Sequence, residues 1–107
     1  MTTFDKREEG FEKKFVIDEE LKFKAEARRN RQLGLWVAAK LGLSGSEAEA
    51  YAREVIAAEF GDGRDADVIR KVTTDLTAAG LSVSETDIRA RMDELMAAAI
   101  AQVKAGT

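Results

Sequence analysis

Five cations fall within ten residues of this chain: Lys22, Lys24, Arg28, Arg29 and Arg31, in the run KFKAEARRNRQ. Only Glu26 opposes them inside that run. Such a patch could hold a nucleotide phosphate or an acidic partner surface. The commoner arrangement for such a run is a solvated helix face. Nucleic acid would need a docking motif beside the patch, and the chain has none. The net charge of -3 gives no general pull toward nucleic acid or anionic lipid.

A second stretch, GDGRDAD at 61–67, has the oxygen-rich look of a cation loop. It lacks the required alternation of ligands, the glycine at the sixth position and the closing glutamate at the twelfth. It also lacks the Gly-Lys-Ser/Thr ending of a phosphate loop. It reads as a turn plus a helix cap, with no metal. The chain has no histidine and no cysteine. Zinc ligand sets, thiolate chemistry and histidine-activated nucleophiles are therefore missing. These absences predict a protein that is not an enzyme and carries no obligatory cofactor.

The third stretch is FDKREEGFEKKF, residues 4–15, in which Phe4, Phe11 and Phe15 stand among charges. At about 100° per residue the three rings fall on one narrow helix face. Glu9 and Lys13 are a favourably ordered pair at four-residue spacing. Gly10 costs roughly 1 kcal/mol relative to alanine in that helix. The segment can therefore form a helix, though a weak one when isolated. One reading is a ligand that orders in a partner's groove, with the phenylalanines as anchors. The other is that Phe11 and Phe15 fold back onto the rest of the chain.

The elements that would position these groups are helical throughout. Asp18 can cap a helix over about 19–41, with Gly42 at the C-cap position. Ser44 and Glu47 form a capping-box pattern for a helix over 45–60, with Leu43 ahead of the cap. Its stripe is Ala48, Tyr51, Ala52, Val55, Ile56 and Phe60, and Gly61 stops it. Asp65 can cap a helix over 66–79 with the stripe Val68, Ile69, Val72, Leu76 and Ala79. Gly80 closes that helix, and Ser84 with Asp87 opens the last, over 85–104. The last stripe is Ile88, Met92, Leu95, Met96, Ala99 and Val103, and Val83 with Ile88 makes a hydrophobic staple. No segment alternates as a strand would. Short glycine-punctuated connections predict antiparallel neighbours.

The expected fold is all-α: a small four-helix bundle over 18–107, with residues 1–17 a mobile or marginally helical arm. The apolar half of the first helix, from Leu33 to Leu41 with Trp36, should be central. Its half before Leu33, rich in charge, should project beyond the core. If the helix ran unbroken from Phe4, the phenylalanine face would align with Leu33, Trp36 and Leu41, but Asp18 argues for a break.

Placed in that frame, the chain resembles a known family. FDKREEGFEKKF, followed by DEELKFKAEARRNRQLGLWVAAKLG, is similar to the zeta subunit of alphaproteobacterial F-type ATP synthases. ARRNRQLGLWVA, residues 27–38, is the most specific part. The likeness continues through AYAREVIAAEF and the later helices. It implies a four-helix bundle with a mobile N-terminal segment that inhibits ATP hydrolysis. That segment would become helical at the catalytic interface of the alpha and beta subunits, beside the rotating gamma subunit. It would act as a pawl, blocking hydrolytic rotation more than synthesis, as the mitochondrial inhibitor protein does with its own N-terminal helix.

On the matching positions, the inhibitory residues implied are Phe4, Asp5, Lys6, Arg7, Glu8, Glu9, Phe11, Lys14 and Phe15. The family is also reported to bind adenine nucleotides, ATP or ADP, at a site the resemblance does not place; Lys22, Arg28, Arg29 and Arg31 of the basic run are the candidate contacts for a nucleotide or an acidic partner. The alternative function is therefore a nucleotide-binding or other helical interaction module. One departure concerns pH. The family often carries Ala-His ahead of DEEL, where this chain has Val16 and Ile17. Without histidine, no imidazole can titrate near neutral pH. No leader-like or membrane-length apolar run is present. With no cysteine, these features predict a cytoplasmic protein, monomeric when free; the resemblance implies that it is peripheral at the inner membrane through the ATP synthase.

Overall fold

In a computed structural model, the backbone is described for residues 2–59 and 65–106, and side chains for 19–59 and 65–106. The chain forms four helices: α1 (Thr2–Lys40), α2 (Gly45–Ala58), α3 (Asp65–Ala78) and α4 (Glu85–Lys104). The described residues contain no strand. The helix anticipated from about residue 19 is thus part of a 39-residue element. Its backbone passes through Asp18 without a break. The chain has no proline to interrupt the hydrogen-bond ladder. One internal aspartate costs only a fraction of a kcal/mol, so a helix already nucleated on both sides continues through it.

The glycine stops act as the sequence implies. Gly42 and Gly80 take the left-handed conformation, with φ of 81° and 78°. Leu43 donates to the Ala38 carbonyl at 2.9 Å, and Leu81 to the Leu76 carbonyl at 2.9 Å. Both are the six-to-one bond that closes a helix over a positive-φ residue. Leu43 and Leu81 then pack on the core.

The start signals divide. Ser84 caps α4, its Oγ accepting from the Asp87 amide at 3.1 Å. Ser44 makes no side-chain cap; its carbonyl accepts from Glu47 at 3.2 Å. The expected capping box at α2 therefore does not form. Asp65 is the first residue of α3 rather than its cap, and its carboxylate is used elsewhere. Phe60 and the Gly61 stop, with most of the 61–67 loop, lie outside the described residues.

Leu33, Val37, Ala38, Tyr51, Val55, Val68, Ile69, Val72, Leu76, Ile88 and Met92 make one continuous core. They come from all four helices, and the stripes of α2, α3 and α4 point inward as their spacing requires. Ala79, placed on the α3 stripe, is exposed beyond the helix end. α1 packs against α2, α3 and α4, so it is the central element. Trp36 lies at the core margin, where Lys40 and Arg91 each approach its ring, at 4.7 and 5.0 Å.

The core also reaches further along α1 than anticipated. Ala25, Arg29 and Asn30 are buried, so the half before Leu33 does not simply project. The residues 25, 29, 33 and 37 are four apart and share one face.

Gly34 sets how close α1 and α2 can come. A Cβ at this position would meet the Ala52 Cα at 2.6 Å. The missing side chain lets the two backbones touch, which is why a glycine is tolerated inside the central helix. Gly34→Ala gains about 1 kcal/mol of helix propensity. Overpacking against backbone typically costs 1–3 kcal/mol and dominates here. A lower urea midpoint than wild type is expected; an equal or higher one would show that the helices part freely.

Candidate functional site

The segment from Phe23 to Arg31 is where charge and packing meet. Arg29 is only 5% exposed, because its position on α1 lies on the inward face between Ala25 and Leu33. An arginine so placed needs its charge met. Its Nη2 donates to Glu59 Oε1 at 2.9 Å and to Asp65 Oδ1 at 2.7 Å. Nη1 reaches Asp65 Oδ2 at 3.4 Å, completing a two-pronged pair. Nε donates to Asn30 Oδ1 at 3.1 Å, and Asn30 Nδ2 donates to Glu59 Oε1 at 3.0 Å. Asn30 is itself 1% exposed.

This network ties α1 to the end of α2 and the start of α3. Glu59 is the incompletely satisfied member. Its side chain is 13% exposed, and its Oε2 is buried with no hydrogen-bond partner. Burial pushes its carboxyl above the usual range, and the nearby charge of Asp65 adds to that. Asn30 and Arg29 act in the opposite sense without cancelling it. One carboxylate oxygen from each of Glu26, Glu59 and Asp65 lies within 4.8 Å of the others. The Arg29 guanidinium already supplies the positive charge that two of these carboxylates require.

The remaining cations of the basic run face outward or across to other helices. Arg31 forms a two-pronged pair with Glu49 of α2, at 2.9 and 3.0 Å. Arg28 donates to Gln102 of α4 at 3.3 Å. Lys24 pairs with Glu20 at 3.7 Å, and Lys22 is exposed. Of the four candidate phosphate contacts, Lys22, Arg28, Arg29 and Arg31, Arg29 is thus turned into the bundle. A phosphate would have to displace two carboxylates to reach it. Phe23, at 60% exposure, borders a shallow groove with Lys24, Ala27, Arg28 and Val103.

A second clamp joins α2 to α3. Tyr51 donates its hydroxyl proton to Asp75 Oδ2 at 2.7 Å. Lys71 bridges Asp75 at 2.9 Å and Glu54 at 3.0 Å, with its ammonium 5.0 Å from the Tyr51 ring. Burial, then the bond to Asp75, holds the Tyr51 hydroxyl above the usual tyrosine range. Burial alone would lower Lys71, but hydrogen bonds and charge from Asp75 and Glu54 outweigh it and hold Lys71 raised.

The implied inhibitory residues Phe4, Asp5, Lys6, Arg7, Glu8, Glu9, Phe11, Lys14 and Phe15 occupy the N-terminal part of α1, and their side chains lie outside the described residues. No sequence motif joins Asn30, Glu59 and Asp65 into a unit. A signal was present: Arg29 and Asn30 stand where the α1 stripe calls for apolar side chains.

The geometry is that of a packed scaffold with a polar lock, and comparison with known proteins gives it a family. The model of the ATPase inhibitor subunit zeta family matches residues 1–102. The chain belongs to this family. The match takes in the phenylalanine segment as well as the bundle. A protein structure solved in solution by NMR is also similar: 48% identity, over 81% of this chain and 99% of that one, with a TM-score of 0.70. No protein with a curated description matches. The ATPase inhibitor subunit zeta family is regulatory, so this zeta-family chain is an inhibitor subunit and not an enzyme, and it associates with the ATP synthase. Among its described residues no helix is long and apolar enough to cross a membrane.

Two consequences can be measured on the isolated protein. Arg29→Ala leaves a buried carboxylate uncompensated and should cost about 3 kcal/mol in urea denaturation, whereas exposed Arg31→Ala should cost under about 1 kcal/mol. Equal effects would contradict the lock. The α2–α3 clamp is lost at alkaline pH. Because the folded pKa values of Lys71 and Tyr51 are raised, their stabilisation is complete below the ordinary values near 10 and is lost as pH rises through the folded ones. The stability gap between wild type and Lys71→Met should therefore be full at pH 8 and shrink steadily beyond pH about 10.5. A constant gap would remove the clamp.

Proposed function

We propose that this zeta-family chain inhibits ATP hydrolysis by presenting the N-terminal part of α1 as a helix to the alpha/beta catalytic interface of the F-type ATP synthase, beside gamma. The observation that carries this reading is the course of α1: one helix runs from Thr2 to Lys40. The phenylalanine-bearing segment is thus covalently and helically continuous with the central element of the bundle. A continuous helix transmits position and axial direction, which a flexible tether would not.

In this reading Phe4, Phe11 and Phe15 are buried anchors in the groove, as aromatic residues on one helix face commonly are. Asp5, Lys6, Arg7, Glu8, Glu9 and Lys14 make the polar contacts around them. The bundle of residues 19–104 holds α1 and limits how far it can enter. Wedged beside gamma, the helix blocks hydrolytic rotation as a pawl does.

The test is hydrolysis by the cognate ATP synthase with the full-length protein and with Phe4→Ala/Phe11→Ala/Phe15→Ala. Loss of hot-spot aromatics typically weakens binding by 10-fold or more, so the inhibitory concentration should rise by at least that factor while the helical content of the bundle is retained. Removal of residues 1–15 should abolish inhibition. If the truncated bundle inhibits as well as the full chain, the N-terminal segment is not the inhibitory element.

A further inference from the structure

We propose that the groove at Phe23, between α1 and α4, is a second docking surface of this chain and takes an acidic segment of the ATP synthase that carries an apolar anchor. Among the described residues, the large apolar side chains left exposed are Phe23 and Ile100, at 60% and 36%. Both lie toward one end of the bundle. Phe23 stands where α1 emerges from it, and Ile100 is one turn before Val103 of α4, which lines the same groove as Phe23. α2 and α4 each pack on α1, and among the described residues they do not pack on each other. α1 is therefore the floor of an open channel between them. Phe23 borders Val103 of α4 on one side and Ile56 of α2 on the other. Ala27, one turn further along the floor, is too small to cover the ring.

Charge indicates what covers the groove. Lys24 and Arg28 line it, and Lys22 and Lys104 are the chain neighbours of Phe23 and Val103. The chain as a whole carries a net charge of -3, so these cations make a local reversal of sign. Lys24 pairs with Glu20 at 3.7 Å, with both side chains well exposed. Such a pair contributes little and yields to a better partner. Arg28 donates to the neutral Gln102 at 3.3 Å, which holds the guanidinium at the α4 wall. An exposed aromatic on an apolar floor with a cationic rim is complementary to an acidic segment that inserts one apolar side chain.

Position indicates which protein supplies that segment. Phe23 lies eight residues after Phe15 on the same helix, about 12 Å along its axis at 1.5 Å per residue. For the identity of the partner, the inference rests on the reading that the N-terminal part of α1 enters the alpha/beta interface. A helix seated there brings the groove to the mouth of that interface. The groove then adds affinity from the body of the bundle and limits how far α1 advances.

Binding, rather than inhibition, tests the groove. The labelled full-length chain is titrated with the isolated catalytic sector of the cognate ATP synthase. Phe23→Ser and Lys24→Glu/Arg28→Glu should each raise the Kd at least 10-fold. Arg70→Glu, which reverses an exposed cation on α3, should change it less than about 2-fold. Added salt should weaken wild type more steeply than the charge-reversed variant. Phe23→Ser alters an exposed side chain and carries the test alone if the charge reversals disturb the helix. An unchanged Kd in Phe23→Ser overturns the proposal. Self-association of wild type that is lost in Phe23→Ser, with the Kd for the catalytic sector unmoved, also overturns it and assigns the groove to a second copy. The two readings fail separately. Weakened binding in Phe4→Ala/Phe11→Ala/Phe15→Ala but not in Phe23→Ser removes the groove and keeps the N-terminal segment; the opposite result keeps the groove.

Discussion

The contact between Gly34 and Ala52 is the constraint on which the other packing depends. Where a side chain would stand on α1, the Ala52 backbone lies 2.6 Å away from the position of its Cβ. Two helices that touch at their backbones leave no room for error in their axial registration. That registration brings Glu59, seven residues beyond Ala52, to Asn30 and Arg29, which lie four and five residues before Gly34. It also brings Glu49, three residues before Ala52, within reach of Arg31. A wider separation of α1 and α2 would leave Arg29 buried without its acceptors.

Arg29 then does for the polar part of the interior what Leu33 and Val37 do for the apolar part. A buried guanidinium is weak evidence of added stability, because its desolvation offsets much of the Coulombic gain. Its value is specificity. It accepts only an arrangement in which Glu59 and Asp65 arrive together, so the end of α2 and the start of α3 cannot drift over the surface of α1. Asn30 reinforces this by donating to Glu59 while accepting from Arg29. The Tyr51, Lys71 and Asp75 clamp performs the same task midway along α2 and α3.

This scaffold suits an inhibitor subunit. An inhibitor subunit needs a binding element joined to a body that resists deformation. The bundle supplies rigidity through a continuous core and ion pairs between helices. The N-terminal part of α1 shares the helical axis of the most heavily packed element.

Much of the fold was legible in the chain. The three-and-four spacing of Val68, Ile69, Val72 and Leu76, or of Ile88, Met92 and Ala99, needs no partner to be read, because a helix buries one face whatever it packs against. Gly42 and Gly80 were legible for the same local reason: a helix end needs a positive-φ residue, and glycine adopts it without strain. The family likeness is likewise a property of the linear string. Other features were decided only in three dimensions. Ser44 carries the residues of a capping box, yet its hydroxyl makes no cap, because the turn at Gly45 sets the backbone differently. Asp65 has the look of a cap, yet its carboxylate serves an arginine 36 residues earlier. Arg29 sits among cations whose run reads as one solvated face, and only packing turns it inward. Local patterns depend on the few residues around them and survive in any fold. The pairing of Arg29 with Glu59 and Asp65, like the closeness of Gly34 to Ala52, depends on which helices meet and at what register, and that is settled by the whole core at once.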